Sequence, residues 1–166
     1  MVVKKFFIVI ILVIFSFNAF ANTPRSTGKY KNWESFVAET EKGKICFAQT
    51  IPTKRAPAAV KRNKSKLFVT FRPSEEIKDE VSLTSGHDYK TSSVIASSGK
   101  RRYSFFSQKD FAWLLDDQEE KKFIQLMKRA TDIIVKARTT KGAETTDHYS
   151  MMGFTKAYNT AKKACS

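Results

Sequence analysis

Two histidines, His87 and His148, are the side chains of this 166-residue sequence that could support acid–base or metal chemistry. Asp147 precedes His148, and a carboxylate beside an imidazole is part of a catalytic triad. Neighbouring residues of a strand point to opposite faces, however, so we do not expect Asp147 to orient His148. If Tyr149 and Met151 face the core, His148 lies on the solvated surface. Neither H-E-x-x-H nor paired C-x-x-C spacing occurs, so no metal site is expected.

The spacing of Ser97 and Lys100 matches the S-x-x-K motif, in which the lysine lies one helical turn from a nucleophilic serine. Here Gly99 and two flanking strand-like runs predict a turn instead. A phosphate-binding loop is not expected either. The GK dipeptides of SSGK and EKGKI both lack the earlier glycine of that motif.

An acidic cluster could bind a cation or supply paired carboxylates, and it consists of Asp116, Asp117, Glu119 and Glu120. The cluster opens a predicted amphipathic helix, DDQEEKKFIQLMKRA. Acidic residues at a helix N-terminus are stabilised by capping and by the helix dipole, and this is the simpler explanation. The sequence therefore predicts no catalytic residue, no cofactor and a chain that is not an enzyme.

The most distinctive surface feature is a basic segment, TKRAPAAVKRNKSK, that joins two predicted strands. We predict that it binds an anionic partner through Lys54, Arg55, Lys61, Arg62, Lys64 and Lys66. The alternative is a solvated loop that only confers solubility, as runs of charge usually do. Few aromatic residues interleave with these charges, so the base stacking of single-strand nucleic-acid binders is not expected.

The N-terminus, MVVKKFFIVIILVIFSFNAFA, has the three parts of a secretory signal peptide. Lys4 and Lys5 form the positive region, residues 6–17 form the apolar run, and an A-x-A cleavage site ends at Ala21. The run is shorter than the roughly 20 residues that span a bilayer. We predict cleavage of residues 1–21 and export, to the periplasm first, with secretion or the outer envelope as alternatives.

The chain is strongly basic, with 30 Lys and Arg against 16 Asp and Glu and a formal net charge of +14. Loss of Lys4 and Lys5 with the signal peptide leaves 28 basic against 16 acidic residues, or +12. This charge attracts anionic partners. For an exported chain we expect an anionic envelope component or another protein, and no nucleic acid. Peripheral membrane contact and the oligomeric state stay open.

The chain has two cysteines, Cys46 and Cys165, and an oxidising compartment favours their pairing over free thiols. On the predicted strand KICFAQTI, Cys46 points away from the face of Ile45 and Phe47. On a predicted C-terminal helix, Cys165 shares the apolar face of Tyr158. A bond between them would close a loop of 165 − 46 = 119 positions. The chain-entropy model gives about 4.7 kcal/mol for loops of this order.

Nine segments have the composition and turn signals of antiparallel strands. They are NWESFVAE, KICFAQTI, LFVTFR, EVSLTS, SSVIAS, RRYSFF, FAWLL, DIIVKA and ETTDHYSMM, and TEKG is a hairpin turn between the first two. We predict a mainly β fold, an antiparallel β-sandwich with one internal helix and a C-terminal helix.

The mature chain of 166 − 21 = 145 residues suits one domain, which we place at residues 33–166 after a polar, mobile segment at residues 22–32. Exposed aromatic side chains are costly in a small domain. We therefore expect Trp33, Trp113 and most of the 14 phenylalanines in the core.

The order and spacing of five segments resemble those of the invasion-associated locus B family of exported bacterial proteins. The segments are GKICFAQTIPTK, LFVTFRP, DEVSL, FAWLLD and KGAETTDHYSMMGFTKAYNTAKKAC, and the resemblance runs over roughly residues 33–165. The resemblance implies an immunoglobulin-like β-sandwich, periplasmic, envelope-associated or secreted placement, and no assigned enzymatic activity. For some pathogenic members it also implies a part in host-cell entry. The branch best known for invasion has further cysteines, which this chain lacks.

The leading hypothesis is an exported, non-enzymatic binding protein whose basic surface contacts an anionic partner. Host-cell invasion is one alternative, and it depends on the source organism. A hydrolase of an envelope polymer is another, and it requires His87 or His148 to converge with acidic or hydroxyl groups in one cleft.

Overall fold

The computed structural model describes residues 23–166, so the signal peptide predicted at residues 1–21 lies outside the described residues. Neither α-helix of the described part is long and apolar enough to cross a membrane. The strands are β1 (Arg25–Tyr30), β2 (Trp33–Thr40), β3 (Gly43–Thr50), β4 (Lys54–Ala56), β5 (Lys66–Arg72), β6 (Ile77–Thr84), β7 (Val94–Ser98), β8 (Arg101–Gln108), β9 (Phe111–Trp113), β10 (Asp132–Arg138) and β11 (Glu144–Ser150). The helices are α1 (Asp117–Arg129) and α2 (Phe154–Ala164), with a short 3-10 helix at Pro73–Glu75.

The predicted fold class is confirmed, since the chain is mainly antiparallel β with one internal and one C-terminal helix. All nine predicted strands are found, and β2 and β3 form the predicted hairpin, in register from Trp33 opposite Thr50 to Thr40 opposite Gly43. Two short strands, β1 and β4, were not predicted. The immunoglobulin-like topology implied by the resemblance stays a prediction.

The strands are hydrogen-bonded in the order β1-β2-β3-β5-β6-β9-β8-β7-β10-β11-β4. Strand β8 pairs with β7 through residues 101–105 and with β9 through residues 106–108. It therefore joins a first half-sheet, from β1 to β9, to a second half-sheet of β7, β10, β11 and β4. Buried residues of both halves form one hydrophobic cluster, as a sandwich requires.

Both helices pack on the same face of the first half-sheet, which we call its inner face. The ring of Phe154 in α2 lies 4.8 Å from that of Trp33, which is fully buried and donates its Nε1–H to the Ser150 carbonyl at 2.9 Å. Phe123 of α1 contacts Tyr103 at 4.9 Å between ring centroids. The opposite, outer face of the half-sheet carries neither helix.

The predicted disulfide is present, with Cys46 bonded to Cys165 and their Cα atoms 5.8 Å apart. Cys46 is buried on the inner face of β3, and Cys165 follows the last turn of α2. The bond therefore fastens the C-terminal helix to the second strand of the predicted hairpin. In the same contact, the ring of Tyr158 lies 5.6 Å from that of Phe71.

The polar segment at residues 22–32, for which we expected mobility, instead contains a strand. Strand β1 pairs with β2 from Arg25 opposite Val37 to Tyr30 opposite Trp33. The Tyr30 hydroxyl lies 3.0 Å from Thr160 Oγ1 in α2. Gly153, at the N-terminus of that helix with φ of +95°, packs so closely on the Tyr30 carbonyl that no β-carbon would fit. Composition alone missed these contacts.

Candidate functional site

The predicted basic cluster does not form one exposed surface, because Arg62 is buried. Its side chain is 3% exposed, and the guanidinium binds both oxygens of Asp147, with Nη2 at 2.7 Å from Oδ1 and Nη1 at 2.8 Å from Oδ2. It also donates to the Ser85 carbonyl at 3.1 Å. Arg62 therefore does not have the exposed position that we expected, and anion binding by the segment stays a prediction.

Arg55 belongs to the same internal network. Strand β4 pairs with β11, which places Arg55 opposite Asp147, and Arg55 Nε lies 3.8 Å from Asp147 Oδ1. The guanidinium also donates to the carbonyl of Asn63. Arg55 thus ties the segment between β4 and β5 to the second half-sheet, with a third of its side chain left in solvent.

The remaining cations of the segment face water. Lys54, Lys61 and Lys64 are exposed, and we call them the lysine trio. Lys66 is half-buried at the start of β5, where its Nζ donates to Gln49 Oε1 at 3.3 Å and lies 5.8 Å from the centre of the Phe68 ring. The side chains of the segment that are most available to an anionic partner are therefore those of the trio.

The two histidines lie on different sides of β11. His87 is placed between Thr145 and Asp88, with Nε2 at 2.9 Å from Thr145 Oγ1 and Nδ1 at 3.0 Å from the Asp88 carbonyl. Thr145 is on the buried face of β11, together with Asp147, whereas His148 points to the other face. As predicted, Asp147 does not orient His148. The structure does not bring the histidines together.

The acidic cluster divides into a cap and a buried carboxylate. Asp116 Oδ1 accepts from the backbone N–H groups of Gln118 at 2.8 Å and Glu119 at 2.9 Å, so the predicted capping role is confirmed. Glu120 turns inward instead, is 7% exposed, and accepts from the Val81 N–H at 2.9 Å through Oε1. This hydrogen bond links α1 to β6.

Burial raises the pKa of Glu120 from 4.5 to about 7. The neighbouring carboxylates Glu80, Asp117 and Asp79 raise the pKa further, while the Val81 N–H opposes the shift. Glu120 opens onto a groove of about 620 Å³ between β6, β9 and the start of α1. The charged residues that line the groove are Glu76, Lys78, Asp79, Glu80, Asp117, Glu120 and Lys121, so five acids face two bases.

A surface that the sequence did not predict lies on the outer face of the first half-sheet. It carries six aromatic side chains from five strands, which we call the aromatic face: Phe36, Phe47, Phe68, Phe106, Phe111 and Trp113. Successive ring centroids lie 5.1 Å apart for Phe36 and Phe47, and 6.2 Å for Phe47 and Phe68. The row continues through Phe111, 6.3 Å from Phe68 and 5.9 Å from Trp113.

The aromatic face corrects the expectation for Trp113 and for several phenylalanines. Trp33 is in the core, but none of the six aromatic-face residues is fully buried, and Phe106 is 51% exposed. A shallow depression of about 410 Å³ lies along the row, between Ile45 and Trp113. The position of Phe47 could have been predicted from Cys46. If the Cys46 sulfur is bonded to a helix of the core, the alternation of β3 places Phe47 on the outer face.

Within residues 23–166, no group of three or more His, Cys, Asp or Glu side chains is arranged to hold a metal ion. The chain matches no family model, no curated protein and no solved structure. The resemblance to invasion-associated locus B proteins therefore stays a prediction from the sequence segments that carry it.

Proposed function

We propose that this chain is an exported, non-enzymatic interaction protein of the cell envelope or the exterior, and that the lysine trio binds an anionic component there. The observation that carries the proposal is the division of the basic segment. Its two arginines lie against Asp147, whereas Lys54, Lys61 and Lys64 face solvent, and the structure records no salt bridge for them within residues 23–166. Exposed cations without counter-charges favour the approach of an anionic surface.

Three further features support this function. The net charge of +12 after removal of the signal peptide adds long-range attraction to any anionic partner. The disulfide between Cys46 and Cys165 is typical of an oxidising compartment. Both ring nitrogens of His87 contact neighbouring oxygens, and His148 lies on the other side of β11, which favours a binding role over a hydrolytic one.

The test is retention of the mature protein on isolated envelopes, at low and at high salt. The substitutions are Lys54→Glu, Lys61→Glu and Lys64→Glu in one variant. A basic residue near an anionic lipid surface contributes about 1 kcal/mol, so loss of three corresponds to a weakening of about 100-fold at low salt. High salt should release the wild-type protein, since exposed charges are screened beyond about 10 Å at 0.1 M.

A matched control separates position from net charge. The exposed lysines Lys90, Lys100 and Lys141 lie in other loops, and their reversal to Glu changes the net charge by the same amount. We expect the control to keep most of its retention. Equal loss in both variants would assign binding to overall charge, and unchanged retention of the trio variant would exclude the trio as the binding surface.

A further inference from the structure

The aromatic face has no partner among the described residues. Both helices pack on the inner face, and the buried side chains of β3 and β5 point there, including Cys46, Ala48, Leu67 and Val69. Six aromatic side chains are therefore left on the outer face, in a domain that has a complete core without them. Contiguous exposed apolar patches of this kind mark interaction surfaces, and aromatic residues are enriched at interface centres.

The two ends of this face carry opposite charge. Because neighbouring strands are antiparallel, the starts of β2, β5 and β9 lie at one end together with the ends of β3, β6 and β8. Lys29, Lys31, Lys66 and Lys109 lie at this end, against the acidic residues Glu34 and Asp110. We call this set the cationic rim, with a net charge of 4 − 2 = +2.

The other end of the face is acidic. It adjoins the groove between β6, β9 and the start of α1, which Phe106 and Trp113 also line. With Glu120 ionised, the five carboxylates of the groove exceed Lys78 and Lys121 and leave a formal charge of 2 − 5 = −3. We call the groove residues the acidic rim. Arg72 lies beside the rim, 2.7 Å from Glu80 and 3.5 Å from Glu75, and counting Arg72 and Glu75 with the groove leaves the net charge at 3 − 6 = −3. In a chain with an excess of bases, this sign reversal at one end of an apolar face is a specific feature.

We propose that the aromatic face is the contact surface of a homodimer, in which the cationic rim of each copy lies over the acidic rim of the other. A twofold axis in the plane of the contact and perpendicular to the strands reverses the strand direction between the copies. It therefore forms the rim-to-rim contact twice. An axis parallel to the strands would place like charges together, and like charges across an interface are unfavourable.

The second copy is the occupant that the charges select. An anionic surface would be attracted to the cationic rim but repelled by the acidic rim at the other end of the same face. A copy of the chain complements both rims and offers an aromatic row of equal length. The dimer leaves the lysine trio unchanged and goes beyond the proposed binding function, so either proposal can fail alone.

The experiment is sedimentation velocity on the mature, disulfide-bonded protein and two charge-reversed variants. One carries Lys66→Glu and Lys109→Glu and has two acidic rims. The other carries Glu76→Lys and Asp117→Lys and has two cationic rims. We expect a wild-type dimer, a monomer for each variant alone at the same concentration, and a dimer again when the two variants are mixed in equal amounts.

A second variant tests the apolar part of the contact. Phe106→Ser changes the most exposed aromatic residue of the face, so the fold should be kept, and the dimer should weaken by about tenfold or more. Circular dichroism and thermal melting check folding of every variant. Ser104→Ala is the matched control, because Ser104 is also exposed on β8, and this variant should leave the dimer intact.

Several outcomes would overturn the homodimer. They are a wild-type monomer at concentrations of several hundred micromolar, a dimer indifferent to Phe106→Ser, or no dimer in the mixture of charge variants. If the wild-type protein is a monomer that binds anionic phosphatidylglycerol vesicles, and Phe106→Ser abolishes this binding, the aromatic face would be a lipid-binding surface. The protein could also be monomeric, with Trp113 protected from a fluorescence quencher in the unprocessed chain but not in the mature chain. That result would assign the aromatic face to residues 1–22.

Discussion

Asp147 and Glu120 are both buried carboxylates, on β11 and α1, and the main difference in their surroundings is the counter-charge. Both oxygens of Asp147 bind the guanidinium of Arg62, at 2.7 and 2.8 Å. Glu120 has one backbone donor, the Val81 N–H, and three neighbouring acids that raise its pKa. Both acids are buried, but only Asp147 has a guanidinium against it, whereas burial and the neighbouring acids raise the pKa of Glu120 to about 7.

The largest expected effect comes from giving Asp147 the surroundings of Glu120. Arg62→Met removes the guanidinium that binds both oxygens of Asp147 and leaves only Arg55 Nε, 3.8 Å from Oδ1. The free energy of unfolding should therefore fall by about 3–5 kcal/mol. Urea denaturation measures the loss. Lys61→Met, at the exposed neighbour, should stay within about 0.5 kcal/mol of wild type, and an equal loss in both variants would contradict the ion-pair explanation.

Removing both charges separates the cost of an unpaired carboxylate from the loss of the Arg62 side chain. When Asp147→Leu is added to Arg62→Met, no unpaired charge is left in the core, and replacing a buried ion pair with apolar residues is often close to neutral. We expect the double variant to recover about 2 kcal/mol over Arg62→Met in the same urea titration. A double variant less stable than the single one would show that Asp147 stabilises the fold through a contact other than the one with Arg62, such as its contact with Arg55.

Glu120→Gln removes a buried carboxylate, whereas Arg62→Met removes the cation beside one. The pKa of Glu120 is higher in the folded chain, about 7, than its ordinary value of 4.5, so the folded state binds the proton more tightly. Wild-type stability should therefore fall as pH rises from about 5 to 8. The groove admits solvent, which screens the charge, so we expect a difference of about 1–2 kcal/mol at pH 8.

The glutamine keeps a carbonyl acceptor for the Val81 N–H, so the variant should equal the wild type near pH 5 and exceed its stability at pH 8. Thermal melting across this pH range measures both values. Asp116→Asn is the matched control, because asparagine also caps helices and the residue lies outside the buried position. The prediction would be contradicted if the wild-type stability rose between pH 5 and 8 and Glu120→Gln abolished that rise.

The smallest expected effect concerns the neighbours of Glu120. Asp117→Asn removes one of the carboxylates that raise its pKa and should lower that pKa by a few tenths of a unit, as expected for partly solvated charges. Carbon-13 NMR titration of the Glu120 carboxyl measures the change. Glu119→Gln is the control, since Glu119 forms a salt bridge with Lys122 at 2.9 Å. A pKa that moves equally in both variants would contradict the specific role of Asp117.

The strands and helices were predictable because each signal is local. Alternation along β3 correctly separated Cys46 from Phe47, and the apolar stripe of the last helix correctly placed Cys165 near the core. Strand β4 was missed because its three residues, Lys54–Ala56, are polar or small, and its pairing with β11 depends on a distant segment. Strand β1 forms a local hairpin with β2, but it was missed because its residues, RSTGKY, are polar or small apart from Tyr30.

The contacts of the basic segment could be predicted only in part. Alternation puts Asp147 on the same face as Tyr149, so a buried carboxylate that needs a cation was already implied. Its partner, Arg62, lies 85 positions away in sequence among five other cations, and nothing local distinguishes it from them. The aromatic face was missed for a different reason. Phenylalanine was assigned to the core by type, although small residues fill the inner face of β3, where α2 packs.

The disulfide between Cys46 and Cys165 also fixes how the molecule responds to proteases. It closes residues 46–165 into a covalent ring with a short N-terminal tail, and the ring contains every element from β4 to α2. A single cut in any loop of the ring opens it but releases no fragment. The cut molecule would therefore keep both half-sheets and both helices on one covalent chain, and it would separate into pieces on electrophoresis only after reduction.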